Sequence, residues 1–556
     1  MDQKKLEEHG LGASNFIKNY VEKHKKELEK LRENANALKF EGQWFIIGDA
    51  EYLQKRLQYA TTSFEEADVS PRIILYAAGE QDIQKAMGLC RELGMAIAVR
   101  TGGHQYCGYS STLPINMQID VSQTFPLYDY DAANNVLRCG VSHPLGSWAE
   151  KNHENGIYLP MGMCAHVHLG GHVHTGGWGM VARSHGILAD HVLAFDIILA
   201  SGEKERIVRP EPGKTTEHND DVYYAVLGGG KGGDFGIVTH WEFSPVRDKN
   251  HPNSACYTFL WLWSEEKMKA VVRKMEQLSK LCADSTVPSD YEFMLTITGY
   301  GWINWVSDST ISELNKLGFS DDLSIPAPPM IQLWMCFTNK GGVDEKFDDQ
   351  WFESFTAEDV CGSPLVANRL KNTPVSAGLA QHFIMKQDRE MEYPFVKRSR
   401  VTMNVPEGLA ETYTERMVKI MSMPKGLCQH LVSQMQIYAG GAVAENGKAG
   451  VTSYSWRQQA FAMSHDSFYS VNWFCGNERQ DAEQWQKEND AVFIGKKAFA
   501  DADMRMFAYT FGDRVLEEVW PCFYDSKEKY ERLRRIKGKL DPNGLFSSDQ
   551  FSLQPL

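Results

Sequence analysis

Between Leu159 and Ala189 the chain reads LPMGMCAHVHLGGHVHTGGWGMVARSHGILA, with Cys164, His166, His168, His172 and His174 crowded among glycines. Three chemistries compete for such a stretch. Histidines at alternate positions beside a cysteine fit a transition-metal site. Glycine at this density also fits a plain turn between core strands. It equally fits a backbone wall pressed against a large planar cofactor, because glycine reaches positive φ cheaply and has no Cβ in the way. In that third case Cys164 or a histidine is placed to bond the cofactor.

Two other glycine-rich turns accompany it. One is RTGGHQYCGYSS, from Arg100 to Ser111; the other is GGGKGGDFGIV, from Gly228 to Val238. The first follows a β-α-β pattern: RIILYA, the helix EQDIQKAMGLCRELG with Gly94 as its stop, and the strand MAIAVR. A strand that delivers a Gly-Gly turn gathers backbone N–H groups where an anion can sit. The second turn is not a phosphate loop, since it lacks the Gly-Lys-Ser/Thr ending and leads into a strand. Short strands (INMQIDVS, NNVLRCGVS, HVLAFDIILASGE) and the helix LGSWAEKNHENG fill the interval.

From about residue 248 the texture changes. Amphipathic helices such as SEEKMKAVVRKMEQLSKLC and GLAETYTERMVKIMSMP alternate with aromatic-rich strands, YTFLWLWS, IQLWMCFTN, SQMQIYAG and SFYSVNWF. That pattern predicts an antiparallel sheet covered by helices on one side. The expected division is a helical extension over 1–40, exposed along its charged face, a cofactor domain over 41–247, a substrate domain over 248–495, and a segment over 496–556 returning to the cofactor domain. The class is α+β.

At 556 residues and 43% hydrophobic content the chain has material for more than one core. A net charge of −14 argues against nucleic acid as a partner. No apolar run approaches the ~20 residues that cross a bilayer, so no membrane partner is expected. MDQKKLEEHGLGASNF lacks the apolar heart of a signal peptide, so an intracellular, cytoplasmic location is expected. The 11 scattered cysteines fit reduced thiols better than a disulfide framework.

Taken together, the motifs resemble the FAD-linked oxidases of the vanillyl-alcohol oxidase superfamily, with its PCMH-type two-part FAD-binding domain. The nearest branch is the berberine-bridge-enzyme-like group, which includes hexose and oligosaccharide oxidases. Four stretches carry the resemblance in order. They are Arg100-Thr101-Gly102-Gly103-His104 with Gln105, Gly108 and Tyr109; Gly162-x-Cys164 with Val167, Gly170-Gly171-His172, Gly176, Gly179 and Asp190; the 228–238 turn with Gly236 and Ile237; and IKGKLDPNGLF near the C-terminus. The resemblance implies FAD attached twice, through His104 and through Cys164, and places no metal at these residues. Two tethers lower the entropy of holding the cofactor and favour its reduced form. His168 and Thr175 stand where relatives usually have glycine, and His191 where they often have asparagine.

An oxidase of this kind takes a hydroxyl proton with a base and gives hydride to the flavin, which dioxygen reoxidises. The resemblance offers Tyr509, in FAYTFGDR, and Glu445, after Gly440-Gly441, as bases, with Tyr438 beside them. Phe511 interrupts the expected Tyr-x-Asn-Tyr pattern, so the tyrosine base is in doubt. Tyr454 and Arg457 resemble residues that line the substrate cleft. Val167 stands at the oxygen-gate position, where a small residue favours an oxidase. The implied small-molecule substrate is an alcohol, foremost the anomeric hydroxyl of a mono- or oligosaccharide. The alternatives are a non-sugar alcohol, amine or phenol of secondary metabolism, and a catalytically decayed binding protein. Trp261, Trp263, Trp302, Trp305 and Trp334 are placed either to stack on sugars or to fill a core.

Overall fold

The computed structural model describes residues 15–59, 66–300, 308–317, 328–342, 346–385, 395–403, 405, 408–422, 429–469, 478–493, 504–505 and 515–556. The β-α-β unit forms as its sequence dictates. Strand β2 (Ile73–Tyr76) leads to the helix Glu80–Leu93, which Gly94 ends at φ 65°, and the chain returns as β3 (Ile97–Arg100). Both strands pair in parallel with β4 (Met117–Asp120). The short strand β1 (Gln43–Ile46) adds antiparallel to β2. The N-terminal helices Asn15–Lys23 and Lys25–Leu38 are not simply exposed, because Ile17, Leu28, Leu31 and Ala35 are buried.

A second, antiparallel sheet runs β5 (Tyr128–Asp131), β6 (Val136–Gly140), β10 (Ile237–Phe243), β8 (Val192–Ile198), β9 (Lys204–Val208). The first glycine-rich turn joins β3 to β4, the second leads into Val192–Ile198, and the third runs from the helix Glu217–Val226 into Ile237–Phe243, so each is anchored by ordered elements.

Among the described residues the third sheet has seven antiparallel strands. In spatial order they are Val366–Lys371, Ala255–Leu262, Met330–Phe337, Tyr291–Thr298, Gln429–Ile437, Phe461–Tyr469 and Phe395–Thr402. Side chains alternate across it. Phe293, Leu295, Leu333, Met335 and Met435 form one core, with residues of the helices Glu265–Ala283 and Leu409–Met421. Met294, Trp334, Cys336 and Val432 lie on the other face and join the core of the first two sheets. Helices roof one side only, as the sequence predicts. Trp261 and Trp334 are core rings, Trp263 packs against the helical core, and Trp302 and Trp305 lie outside the described residues.

The two cores meet through a polar joint. Arg183, wholly buried, donates from Nε to the Ala439 carbonyl at 2.8 Å and from a terminal nitrogen to the Tyr291 carbonyl. Ser184 donates from its backbone N–H and its hydroxyl to Glu292 Oε1, both at 2.7 Å. Burial raises the pKa of Glu292, against the charge of Arg183 and these hydrogen bonds. Removing one partner from such an arrangement strands a buried charge. Arg183→Met should therefore lower stability by roughly 3–5 kcal/mol, seen as a fall in the urea midpoint. The double variant with Glu292→Gln should recover part of the loss.

Candidate cofactor and active site

The glycine-rich turns converge on one cavity with about 1400 Å³ of empty volume, open solvent included. Glycines from all three turns line it, and several of them sit in close contact with other backbone. A Cβ at Gly102 would stand 2.8 Å from the His166 carbonyl and 2.8 Å from the His168 ring. At Gly170 it would stand 2.6 Å from the Thr101 methyl, and at Gly179 it would overlap the Met161 carbonyl. Gly236, at φ 149°, approaches Ile197 and the Ile198 carbonyl.

Of the cofactor residues expected from sequence, the structure brings to this cavity Thr101, Gly102, Gly103, His104, Gln105, Tyr109, Gly162, Cys164, Val167, Gly170, Gly171, His172, Gly179, Gly236 and Ile237. His104 enters on the turn after β3, with its ring stacked on Tyr59 at 3.8 Å and 22°. Cys164 enters from a different turn, held by Ala165 N–H donating to the Met385 carbonyl at 2.9 Å and Met385 N–H to the Met163 carbonyl at 2.7 Å. Val167 lines the same wall.

Arg100, Gly108, Gly176 and Asp190 lie off the lining. Arg100 is buried in an ion pair with Asp120 and donates to the carbonyls of Leu57 and Lys55 at 2.9 and 2.8 Å, which anchors the turn from behind. Asp190 holds Arg457 at 2.9 and 2.8 Å and accepts from Ile187 N–H at 3.1 Å. This corrects the expected substrate role of Arg457, whose guanidinium is occupied by a carboxylate. Tyr454 sits beneath it and fills the space beside Gly176 and Gly228, again away from the cavity. Glu445 is 68% exposed and ion-paired with Lys448 at 2.7 Å, too wet and too far out for a base. Tyr438 is buried, 6.2 Å ring to ring from Trp178, which lines the cavity. Tyr509 lies outside the described residues.

The extra histidines acquire separate roles. Burial, the largest cause for each, pushes His168, His172 and His174 down to about 4 and keeps them neutral. His172 Nε2 accepts from Gly162 N–H at 3.1 Å, bracing the turn that carries Cys164. His174 Nδ1 donates to the Val226 carbonyl at 3.2 Å. His166 stacks near Tyr59 at 5.5 Å, and His191 reaches the carbonyls of Ser244 and His185 at 3.1 and 3.0 Å. Among the described residues no three His, Cys, Asp or Glu side chains assemble as a metal site.

Among the lining residues that sequence reasoning did not assign to the site, four stand out. Lys231, inside GGGKGG, forms a buried ion pair with Asp549. Met294, Met385 and Gln434 come from the substrate side. Lys231 was legible once its turn was placed here; the others carry no local signal.

Residues 71–207 match the FAD binding domain family model. In sequence the chain is similar to berberine bridge enzyme-like 16 of Arabidopsis thaliana, 28% identical over 197 residues, covering 35% of this chain and 34% of the relative. It is similar also to aclacinomycin-N/aclacinomycin-A oxidase of Streptomyces galilaeus, 28% identical over 216 residues, covering 36% and 39%. Residues 71–207 thus carry an FAD binding domain, and the chain is similar in sequence to berberine-bridge-enzyme-like and other FAD-linked oxidases. The alignments span little more than a third of the length of these curated relatives. In fold, the chain is similar to the xylooligosaccharide oxidase from Myceliophthora thermophila C1 in complex with xylobiose. The TM-score is 0.69 at 17% identity, covering 94% of this chain and 99% of that one. At that identity the likeness is one of fold. No helix among the described residues is long and apolar enough to cross a membrane.

Two outcomes are expected. Gly179→Ala drives a methyl into the Met161–Gly162 backbone and should yield folded protein with its visible flavin absorbance reduced several-fold relative to the protein band. His172, lowered when folded, binds its proton first in the unfolded chain. Its contribution to stability is therefore present above about pH 6.5 and is lost as pH falls toward 4. His172→Gln should show a smaller drop in urea midpoint between those pH values than the parent.

Proposed function

We propose that this protein is an FAD-dependent oxidase whose flavin is attached bicovalently, through His104 and Cys164, and that it oxidises an alcohol carbon with dioxygen as acceptor. The observation that carries the reading is that His104 and Cys164, 60 residues apart on separate turns, line one cavity beside Val167. When bound there, FAD supplies hydride acceptance at N5 and return of the electrons to dioxygen as hydrogen peroxide. The chain's own work is to hold and to exclude. Gly102, Gly103, Gly232, Gly233 and Gly236 line the cavity with no side chain of their own, so backbone there can come close to the cofactor. Val167 sets the opening for dioxygen.

On this reading residues 41–247 with the returning segment 496–556 seat the cofactor, and 248–495 bring the substrate. The proton of the substrate hydroxyl passes to a tyrosine in its phenolate form, which becomes the neutral phenol: Tyr509 by its place in the sequence, or Tyr438 by its place beside Trp178. The substrate proposed first is the anomeric hydroxyl of a mono- or oligosaccharide, oxidised to a lactone, in keeping with the xylobiose-bound neighbour in fold. A second reading, a non-sugar alcohol, is favoured by Met294 and Met385, which put apolar surface beside Gln434 on the substrate side of the cavity.

Acid precipitation of purified protein should leave the yellow colour in the pellet, and mass spectrometry should find FAD linking the peptides that hold His104 and Cys164. Colour released into the supernatant would remove both tethers. A peroxide-release screen then separates the two substrate classes: turnover of oligosaccharides with none on apolar alcohols supports the first, and the reverse pattern supports the second.

A further inference from the structure

His168 is the cavity histidine that this account leaves without a task. Its ring lies against Gly102, whose missing Cβ is what gives the imidazole its place, 2.8 Å from Cδ2 and 3.2 Å from Cγ. The contact is with the Cδ2 edge. Nδ1, on the other side of Cγ, is sealed from solvent and has no hydrogen-bond partner. Backbone holds the residue in place on both sides, through a bridge from Pro144 to His168 and Leu169 N–H donating to the His143 carbonyl at 3.0 Å.

A buried polar atom without a partner costs about 1–3 kcal/mol, and proteins rarely leave one so. The two neutral tautomers differ in that cost. With the proton on Nδ1, a donor is buried with nothing to receive it. With the proton on Nε2, the sealed atom is a bare lone pair and the ring keeps a donor for whatever fills the cavity. Burial keeps the imidazole uncharged, and the nearby Asp120, His143 and His166 do not reverse this. Asp120 is already engaged by Arg100. The neighbours His172 and His174 have their own partners, Gly162 N–H and the Val226 carbonyl, so among these three the sealed, unpartnered nitrogen belongs to His168.

We propose that His168 is a cofactor-seating residue, a neutral imidazole that hydrogen-bonds an oxygen of the FAD diphosphate at the Gly102–Gly103 turn. The proposal rests on the FAD reading above, but not on the covalent bonds. The turn is where backbone N–H groups gather for an anion, and a neutral donor there adds to them without the desolvation cost of a cation.

The test is made on protein carrying His104→Ala and Cys164→Ala, so that binding is reversible, by titrating FAD and following flavin fluorescence. His168→Phe keeps the ring's bulk and loses its hydrogen bond; the FAD dissociation constant should rise about tenfold. His168→Gln restores a donor and should recover most of the loss. Riboflavin, which has no phosphate, should bind the parent and both variants within about twofold of one another. Equal affinity of His168→Phe and parent for FAD would overturn the proposal. Equal weakening by Phe and Gln would overturn it too, since packing would then be the cause, as would equal weakening toward riboflavin. Should the variants fail to fold, long-range ¹H–¹⁵N spectra of histidine-labelled protein decide. A shift of the His168 ring nitrogens on adding FAD supports the contact, and no shift overturns it. The covalent reading is judged separately, by acid precipitation of unaltered protein, so one can fail while the other stands.

Discussion

The structure depends on one steric constraint: close main-chain approach where the glycine-rich turns meet around the cavity. At Gly102, Gly170, Gly179 and Gly236 a single added carbon would meet another segment within van der Waals contact. Such contacts have no tolerance of their own. They are kept by ordered elements at the ends of the turns, β3 behind the first and β10 beyond the third. The ion pair of Arg100 with Asp120 and the brace from Gly162 to His172 do the same from outside the lining. Much of the fold is scaffolding for gaps.

The same economy governs charge. Three cavity histidines are kept neutral by burial, and Lys231 is matched by Asp549. An anionic group entering the cavity therefore meets mostly dipoles, oriented N–H groups and uncharged rings, rather than free cations. Dipoles fixed by the fold need no reorganisation when a charge arrives, and they leave no unpaired buried ion when it is absent. A hinge between the two cores that relied on loose charges would lack this property. The joint at Arg183, Ser184 and Glu292 instead ties its charged groups to fixed neighbours, Arg183 to backbone carbonyls and Glu292 Oε1 to Ser184.

What the sequence revealed follows from the range of each interaction. The β-α-β unit was legible because alternation, helix period and the stop at Gly94 are all local. The sheet of the second core was legible from its long aromatic strands, although both faces are buried and the period-two signal is blurred. β1 was not, because four residues carry too little pattern. The cavity lining was readable where glycine marks close approach, and unreadable at Met294, Met385 and Gln434, whose types are ordinary for a core strand. Arg457 misled for a physical reason: an arginine in an aromatic segment looks like a ligand-binding group until its partner is known, and Asp190 lies 267 residues away. Glu445 misled likewise, because spacing after a glycine pair says nothing about exposure.

The C-terminal helix Lys527–Leu540 and the tail after it close the first core rather than the second. Lys537 reaches Asp541 at 2.8 Å and the Asp234 carbonyl under the third glycine turn. Asp541 collects the N–H groups of Leu545 and Phe546, both at 2.8 Å, and the Leu545 carbonyl accepts from Ile97 N–H at 2.7 Å. Ile97 begins β3, the strand that delivers His104. The strand under the first cofactor turn is thus braced by residues more than 400 positions away in sequence. Closure of that region is a long-range contact of the kind that raises contact order.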